Sequence, residues 1–129
     1  MKNPEALLEK AKKGFTTLEV SEKYIQSTLG HLKSWLTDGM FKGYVAQIAY
    51  LLEAEKWDFL LDSFYQVIPF GTGGRRGLVG IGPNRINTWT IQASAQGHAQ
   101  YLIQQFGEEV KQRGVVLTFD VREYTQKGV

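Results

Sequence analysis

The sequence contains no cysteine. Disulfides, thiolate metal sites and cysteine nucleophiles are excluded on that ground, and the absence fits a cytoplasmic setting. Histidine is scarce as well. His31 and His98 are widely separated, and His31 has no obvious Asp, Glu or Cys partner nearby, so the pair does not make a metal site. No apolar run approaches the roughly 20 residues that a membrane-spanning helix needs. Met1 to Phe15 is polar and lysine-rich, with no apolar stretch behind its charges, which predicts no secretory signal peptide and no membrane partner. An excess of one charge is also missing. Fifteen Lys and Arg stand against 13 Asp and Glu, a net charge of +2. These charges are scattered and do not form the basic stripe of a nucleic-acid binder. They fit weak steering of anions, phosphates included.

What is present suits a soluble globular chain. The 129 residues are enough for one domain with a modest core, and the hydrophobic share of 43% and charged share of 22% are ordinary. The first half reads as helical. Asn3 and Pro4 make a cap and first turn for a helix over Glu5 to Lys13, ended by Gly14. A second helix starts at Ser21, with Ile25, Leu29, Leu32 and Leu36 at helical spacing, Trp35 widening the stripe, and Asp38-Gly39 as the stop. Val45, Ile48, Leu51 and Leu52 mark a third helix over about Lys42 to Ala54, and Trp57, Leu60, Leu61 and Phe64 a short fourth. Together they read as a helical arm or small bundle.

The character changes at about Tyr65. Gln66 to Phe70 reads as a strand, limited by Pro69 to an edge or a strand end. Six glycines then fall from Gly71 to Gly82. Asn87 or Thr88 caps a long helix whose buried face carries Ile91, Ala95, His98, Leu102 and Phe106. On that face His98 is expected to be a core residue. Gly114 ends the helix, and Val115 to Phe119 reads as a buried strand. Strand, glycine loop, helix and strand open an α/β layered domain. The fold class is therefore α/β, although this chain is itself mostly helical. Residues 1–65 form a helical N-terminal extension, and 66–129 form the beginning of a layered domain. A parallel strand needs neighbours and covering helices, so the sequence is expected to be truncated.

The run Phe70-Gly-Thr-Gly-Gly-Arg-Arg-Gly77 is the main candidate site. Glycines let a backbone take positive φ and approach a ligand closely. Successive exposed N–H groups can form an anion-binding concavity. Thr72 adds a hydroxyl, and Arg75 and Arg76 offer guanidinium forks matched to phosphate oxygens. The alternative is a hairpin whose glycines only permit tight turns. The spacing is not that of a Walker P-loop. Nor is it a dinucleotide-binding fingerprint, because no helix starts directly at the glycines.

The stretch from Phe70 to Asn87, FGTGGRRGLVGIGPNRIN, resembles the start of the first catalytic domain of the α-D-phosphohexomutase superfamily, in its phosphoglucomutase, phosphomannomutase and phosphopentomutase branch. The family pattern F-G-T-[AGS]-G-x-R-G is followed by G-x-G-x-N-R-x-N. An A-x-Q-G helix comes next, matched by Ala93 to Gly97, and then a strand ending D-x-R, matched by Asp120-Val121-Arg122. The resemblance covers Phe70 to Arg122, and the helical arm before it is similar to the extension of this branch. It implies that Thr72, Gly73, Gly74 and Arg76 border bound phosphosugar, with Arg76 at the family's arginine position and Arg75 at a variable one. It also implies an anchoring role for the Asp120–Arg122 pair. His98 departs from the family's usual aliphatic residue.

The implied activity is intramolecular phosphoryl transfer between the 1- and 6-positions of a sugar. A phosphoserine passes its phosphoryl group to a sugar monophosphate, and the resulting bisphosphate returns its other group to the serine. Implied cofactors are Mg²⁺ and a sugar bisphosphate as activator or intermediate. Implied partners are the phosphosugar and the remaining domains of a longer parent. The family's serine motif and its Asp-rich Mg²⁺ loop have no match here. Ser21, Ser27, Ser34, Ser63 and Ser94 have no neighbouring His-Asn-Pro, and Asp58, Asp62 and Asp120 do not cluster as that loop requires. The chain alone is therefore expected to lack catalytic and metal-binding residues and to be inactive. Three other readings stand beside this one: a non-catalytic phosphosugar-binding or regulatory fragment, an RNA-gripping glycine–arginine segment, and a helical interaction module in residues 1–65.

Overall fold

The computed structural model describes residues 3–119. Its elements are α1 (Pro4–Phe15), α2 (Glu22–Thr37), a 3₁₀ turn (Gly39–Tyr44), α3 (Val45–Glu53), α4 (Trp57–Phe64), α5 (Thr88–Phe106), a second 3₁₀ turn (Gly107–Glu109) and α6 (Val110–Arg113). Packing divides the chain after Ser94 into two compact units.

In the first unit the helices begin and end where their local chemistry dictates. Asn3 Oδ1 accepts from the Glu5 N–H at 3.0 Å, and Pro4 sits in the first turn, where its missing N–H costs no helical bond. Asp38 stops α2 and its carboxylate accepts from the Met40 N–H at 3.0 Å, which opens the 3₁₀ turn. Lys42 to Tyr44 therefore belong to this turn, and α3 starts at Val45.

The apolar stripes of α1 to α4 meet in one core. Ala11, Phe15, Leu32, Ile48, Leu52, Leu60 and Phe64 are fully buried. Trp35 lies at its centre, stacked on Phe41 at 4.4 Å between centroids and edge-on to Phe64 at 5.5 Å and Trp89 at 5.6 Å. Paired rings in such geometries add to the stabilisation that burial alone supplies. Trp89 stands in the first turn of α5, so the core reaches past the helical arm to the segment that follows the glycine loop.

No strand forms among the described residues. Gly71 bridges Gly74, and Val79 bridges Ile86, each in isolation. Over Gln66 to Phe70 the expected strand is replaced by irregular chain. Ile68 is buried there and its N–H donates to the Pro83 carbonyl at 2.8 Å. One bond does not make a ladder, and Pro69 has no N–H to offer a second.

In the second unit α5 ends at Phe106, earlier than Gly114. Gly107 takes φ +67°, which breaks the helical run, and Gly114 at φ +69° closes the short α6. The expected buried face of α5 is open: Ile91 is 58% exposed, Phe106 53%, and Ala95 and His98 are exposed too. His98 is therefore not a core residue. Gly114 to Phe119 has no regular structure, and Leu117 and Phe119 are 86% and 97% exposed. Both corrections have one cause. Among the described residues no neighbouring strand supplies the ladder bonds or the apolar cover that a buried strand and helix face require.

Candidate functional site

The glycine turn is closed at its tip. Gly71 and Gly74 exchange backbone hydrogen bonds, 2.8 Å from the Gly71 N–H and 3.5 Å from the Gly74 N–H. Gly73 and Gly74 lie at φ +73° and +157°, conformations that L side chains rarely adopt, so the turn needs glycine there. Thr72, Gly73 and Arg76 are exposed, and Gly74 and Arg75 are half-buried. Arg76 makes no hydrogen bond or ion pair among the described residues, so its guanidinium is open to an incoming anion. Arg75 turns inward instead, with Nη1 donating to Ser94 Oγ at 2.8 Å.

A dense polar brace stands behind the turn. Arg85 is 5% exposed and forms an ion pair with Asp62 of α4, while its Nη1 donates to the Asn84 carbonyl at 3.2 Å and more weakly to the Asp62 carbonyl at 3.4 Å. Its guanidinium carbon also lies 5.6 Å from the centroid of the Phe59 ring. Asn84 bonds to α4 as well, from Nδ2 to the Asp62 carbonyl at 2.8 Å and from its N–H to the Ser63 carbonyl at 3.0 Å. Gly82 passes so close to α4, at φ +107°, that a Cβ would stand 2.3 Å from the Ser63 carbonyl oxygen.

Asn87 joins the loop to α5. Its Nδ2 donates to the carbonyls of Gly80 and Gly82 at 2.9 and 2.8 Å, and its Oδ1 accepts from the Thr90 N–H at 3.1 Å. Thr90 Oγ1 accepts in return from the Asn87 N–H at 2.9 Å and donates to the Arg85 carbonyl at 2.9 Å. This reciprocal cap settles the start of α5 on Asn87.

The structure thus gathers Thr72, Gly73, Gly74 and Arg76 on one exposed turn and places Arg85 and Asn87 behind it as internal supports. Asp120 and Arg122 lie outside the described residues. The supports were missed because a motif gives residue identity without direction. A usable signal was an arginine flanked by the apolar Ile81, Pro83 and Ile86, a setting that calls for a buried partner. His31, without an evident partner in sequence, donates from Nδ1 to the Phe64 carbonyl at 2.6 Å and braces α2 on α4. Among the described residues no group of His, Asp and Glu side chains is arranged to hold a metal ion. None of the helices there is long and apolar enough to cross a membrane.

Comparison with known proteins finds sugar-phosphate mutases. The chain is 46% identical over 59 residues to a phosphopentomutase of Mus musculus, covering 46% of this chain and 9% of the relative. It is 31% identical over 80 residues to a phosphoglucomutase of Staphylococcus haemolyticus, covering 62% of this chain and 14% of the relative. A probable phosphoribomutase of Schizosaccharomyces pombe is 36% identical over 76 residues, covering 59% of this chain and 13% of the relative. The resemblance to the phosphohexomutase superfamily therefore stands: over about half its length or more, this chain is similar to phosphosugar mutases. The matched part is only about a tenth of those relatives' length. No family model matches the chain, and no solved structure does.

Proposed function

We propose that the chain is the N-terminal portion of a phosphosugar mutase and that its glycine turn is one wall of the site for a phosphorylated sugar. The single observation that carries this is the coincidence of two things. The run that resembles the phosphohexomutase pattern forms a turn with backbone N–H groups, the Thr72 hydroxyl and an Arg76 without a partner among the described residues, all on one exposed stretch. Arg76 offers a bidentate clamp to phosphate oxygens, and Thr72 and Gly73 supply shorter donors beside Gly74, whose N–H is held by the Gly71 carbonyl at a long 3.5 Å. Transfers of this kind depend on positioning and electrostatic stabilisation more than on covalent work by the protein. A substrate that carries phosphate at both ends during turnover needs donors on several sides.

In the parent enzyme a phosphoserine gives its phosphoryl group to a hydroxyl of the sugar monophosphate. The bisphosphate then returns its other phosphoryl group to the serine, and both phosphorus–oxygen exchanges balance. Both the serine and the ligands for Mg²⁺ lie outside this chain. Among the described residues no carboxylates or imidazoles are grouped to hold the ion. The remaining domains of a cytoplasmic parent would supply these parts, and a sugar bisphosphate would act as activator.

The same reading completes the fold as an α/β layered domain. Ala95, Leu102, Ile103, Val110, Val115 and Leu117 line an apolar groove of about 480 Å³ in the second unit. That groove is a surface on which a layered domain would close.

The test is a coupled assay for conversion of glucose 1-phosphate to glucose 6-phosphate. The purified 129-residue chain is expected to give no turnover, and the complete parent polypeptide to be active. Turnover by the short chain well above a no-enzyme control, or a hexose monophosphate bound to the complete polypeptide far from residues 71–77, would refute the proposal.

A further inference from the structure

Arg75 and Arg76 are neighbours in sequence with opposite surroundings. Arg76 is exposed, whereas Arg75 is half-buried and spans from the glycine turn to α5. The bond it makes there is part of a chain. Arg75 Nη1 donates to Ser94 Oγ at 2.8 Å, and the Ser94 hydroxyl donates to the Thr90 carbonyl at 2.6 Å, one turn back in the helix. Thr90 is 1% exposed and is locked to Asn87 by the reciprocal cap. Because Ser94 has spent its only proton on Thr90, a lone pair is left to accept from the guanidinium. Arg75 Nε is shielded from solvent and has no partner, so among the described residues the Ser94 bond is the one hydrogen bond that holds this side chain.

The turn needs such a hold. Among the described residues its tip is closed by the Gly71–Gly74 pair alone, one of whose bonds is long at 3.5 Å, and glycines at 73 and 74 leave the backbone many alternatives. We propose that Arg75 is a positioning residue: by hydrogen bonding Ser94 it fixes the glycine turn on the first two turns of α5 and thereby sets the direction in which Arg76 and the turn's N–H groups point. The consequence for phosphate binding rests on the reading above, while the tether itself does not. A preorganised turn binds more tightly because less ordering remains to be done when the anion arrives.

The experiment compares five forms of the 129-residue chain: unaltered, Arg75→Leu, Ser94→Ala, Ser94→Thr and Arg76→Gln. Amide hydrogen exchange at residues 71–77, the thermal midpoint and the dissociation constant for glucose 1-phosphate are measured on each. Ser94→Ala removes the acceptor and keeps both charges, so it separates tethering from a simple loss of positive charge. Ser94→Ala and Arg75→Leu are expected to speed exchange in the turn about five- to tenfold with the midpoint nearly unchanged, because only local opening becomes easier. Both should weaken glucose 1-phosphate binding by about fivefold through lost preorganisation. Ser94→Thr should restore both properties. Arg76→Gln should weaken binding and leave exchange alone.

Unchanged exchange in both Arg75→Leu and Ser94→Ala overturns the tether, and so does failure of Ser94→Thr to restore it. If Arg76→Gln binds as the unaltered chain does, or the unaltered chain does not bind glucose 1-phosphate, the phosphate reading fails, and the exchange data still decide the tether.

Discussion

The helix α5 shows two settings within one element. Its first turn is enclosed: Thr90 is buried, Trp89 touches Trp35 and Phe41, and Asn87 caps it through two reciprocal bonds with Thr90 while two more tie Asn87 to the loop carbonyls of Gly80 and Gly82. Further along, Tyr101 and Phe106 are each more than half exposed. One helix thus runs through both settings, and its surroundings differ along its length. A stripe of apolar residues therefore records what a helix is able to bury, while burial itself depends on partners elsewhere in the chain. In the first unit α1 to α4 are those partners.

Three substitutions would break or sharpen this contrast. Trp35→Ala removes the ring around which Phe41, Tyr44, Phe64 and Trp89 assemble. It should cost about 3–5 kcal/mol in urea unfolding followed by circular dichroism, a large part of the stability of a domain this size. Asn87→Ala removes the cap of α5 together with the two loop carbonyl contacts, and should cost about 1–2 kcal/mol by the same measurement. Phe106→Ser alters an exposed residue. It should shift unfolding by about 0.5 kcal/mol or less and should reduce concentration-dependent association in sedimentation, because it shrinks exposed apolar surface. A Phe106→Ser effect as large as that of Trp35→Ala would remove the distinction between the two regions.

Most of the first unit was legible in the sequence because its signals are local. Asn3, Pro4, Asp38 and Asn87 act within a few residues of themselves, and the stripes on α2 and α4 have the partners they call for. The glycine turn was legible in the same way, as a place where the backbone needs positive φ. Whatever depended on distant partners was not. Val115 to Phe119 has strand composition, but a strand is a relation between segments, and no second segment pairs with it among the described residues. The division of labour between Arg75 and Arg76 was hidden for a similar reason: Ser94 is distant in sequence, and only the folded chain brings it to one guanidinium and not the other. Arg85 likewise finds its carboxylate on α4.

That last pair has a practical consequence for anyone trimming this protein. Asp62 belongs to the helical arm, while Arg85 belongs to the run from Phe70 to Asn87 that resembles the phosphohexomutase pattern. A peptide cut to begin at residue 66, which looks from composition like the natural unit, would keep every motif residue. It would take from Arg85 both its counterion and its cover, and remove the floor beneath Asn84 and Gly82. Grafting the motif into another scaffold would therefore require importing α4 along with it.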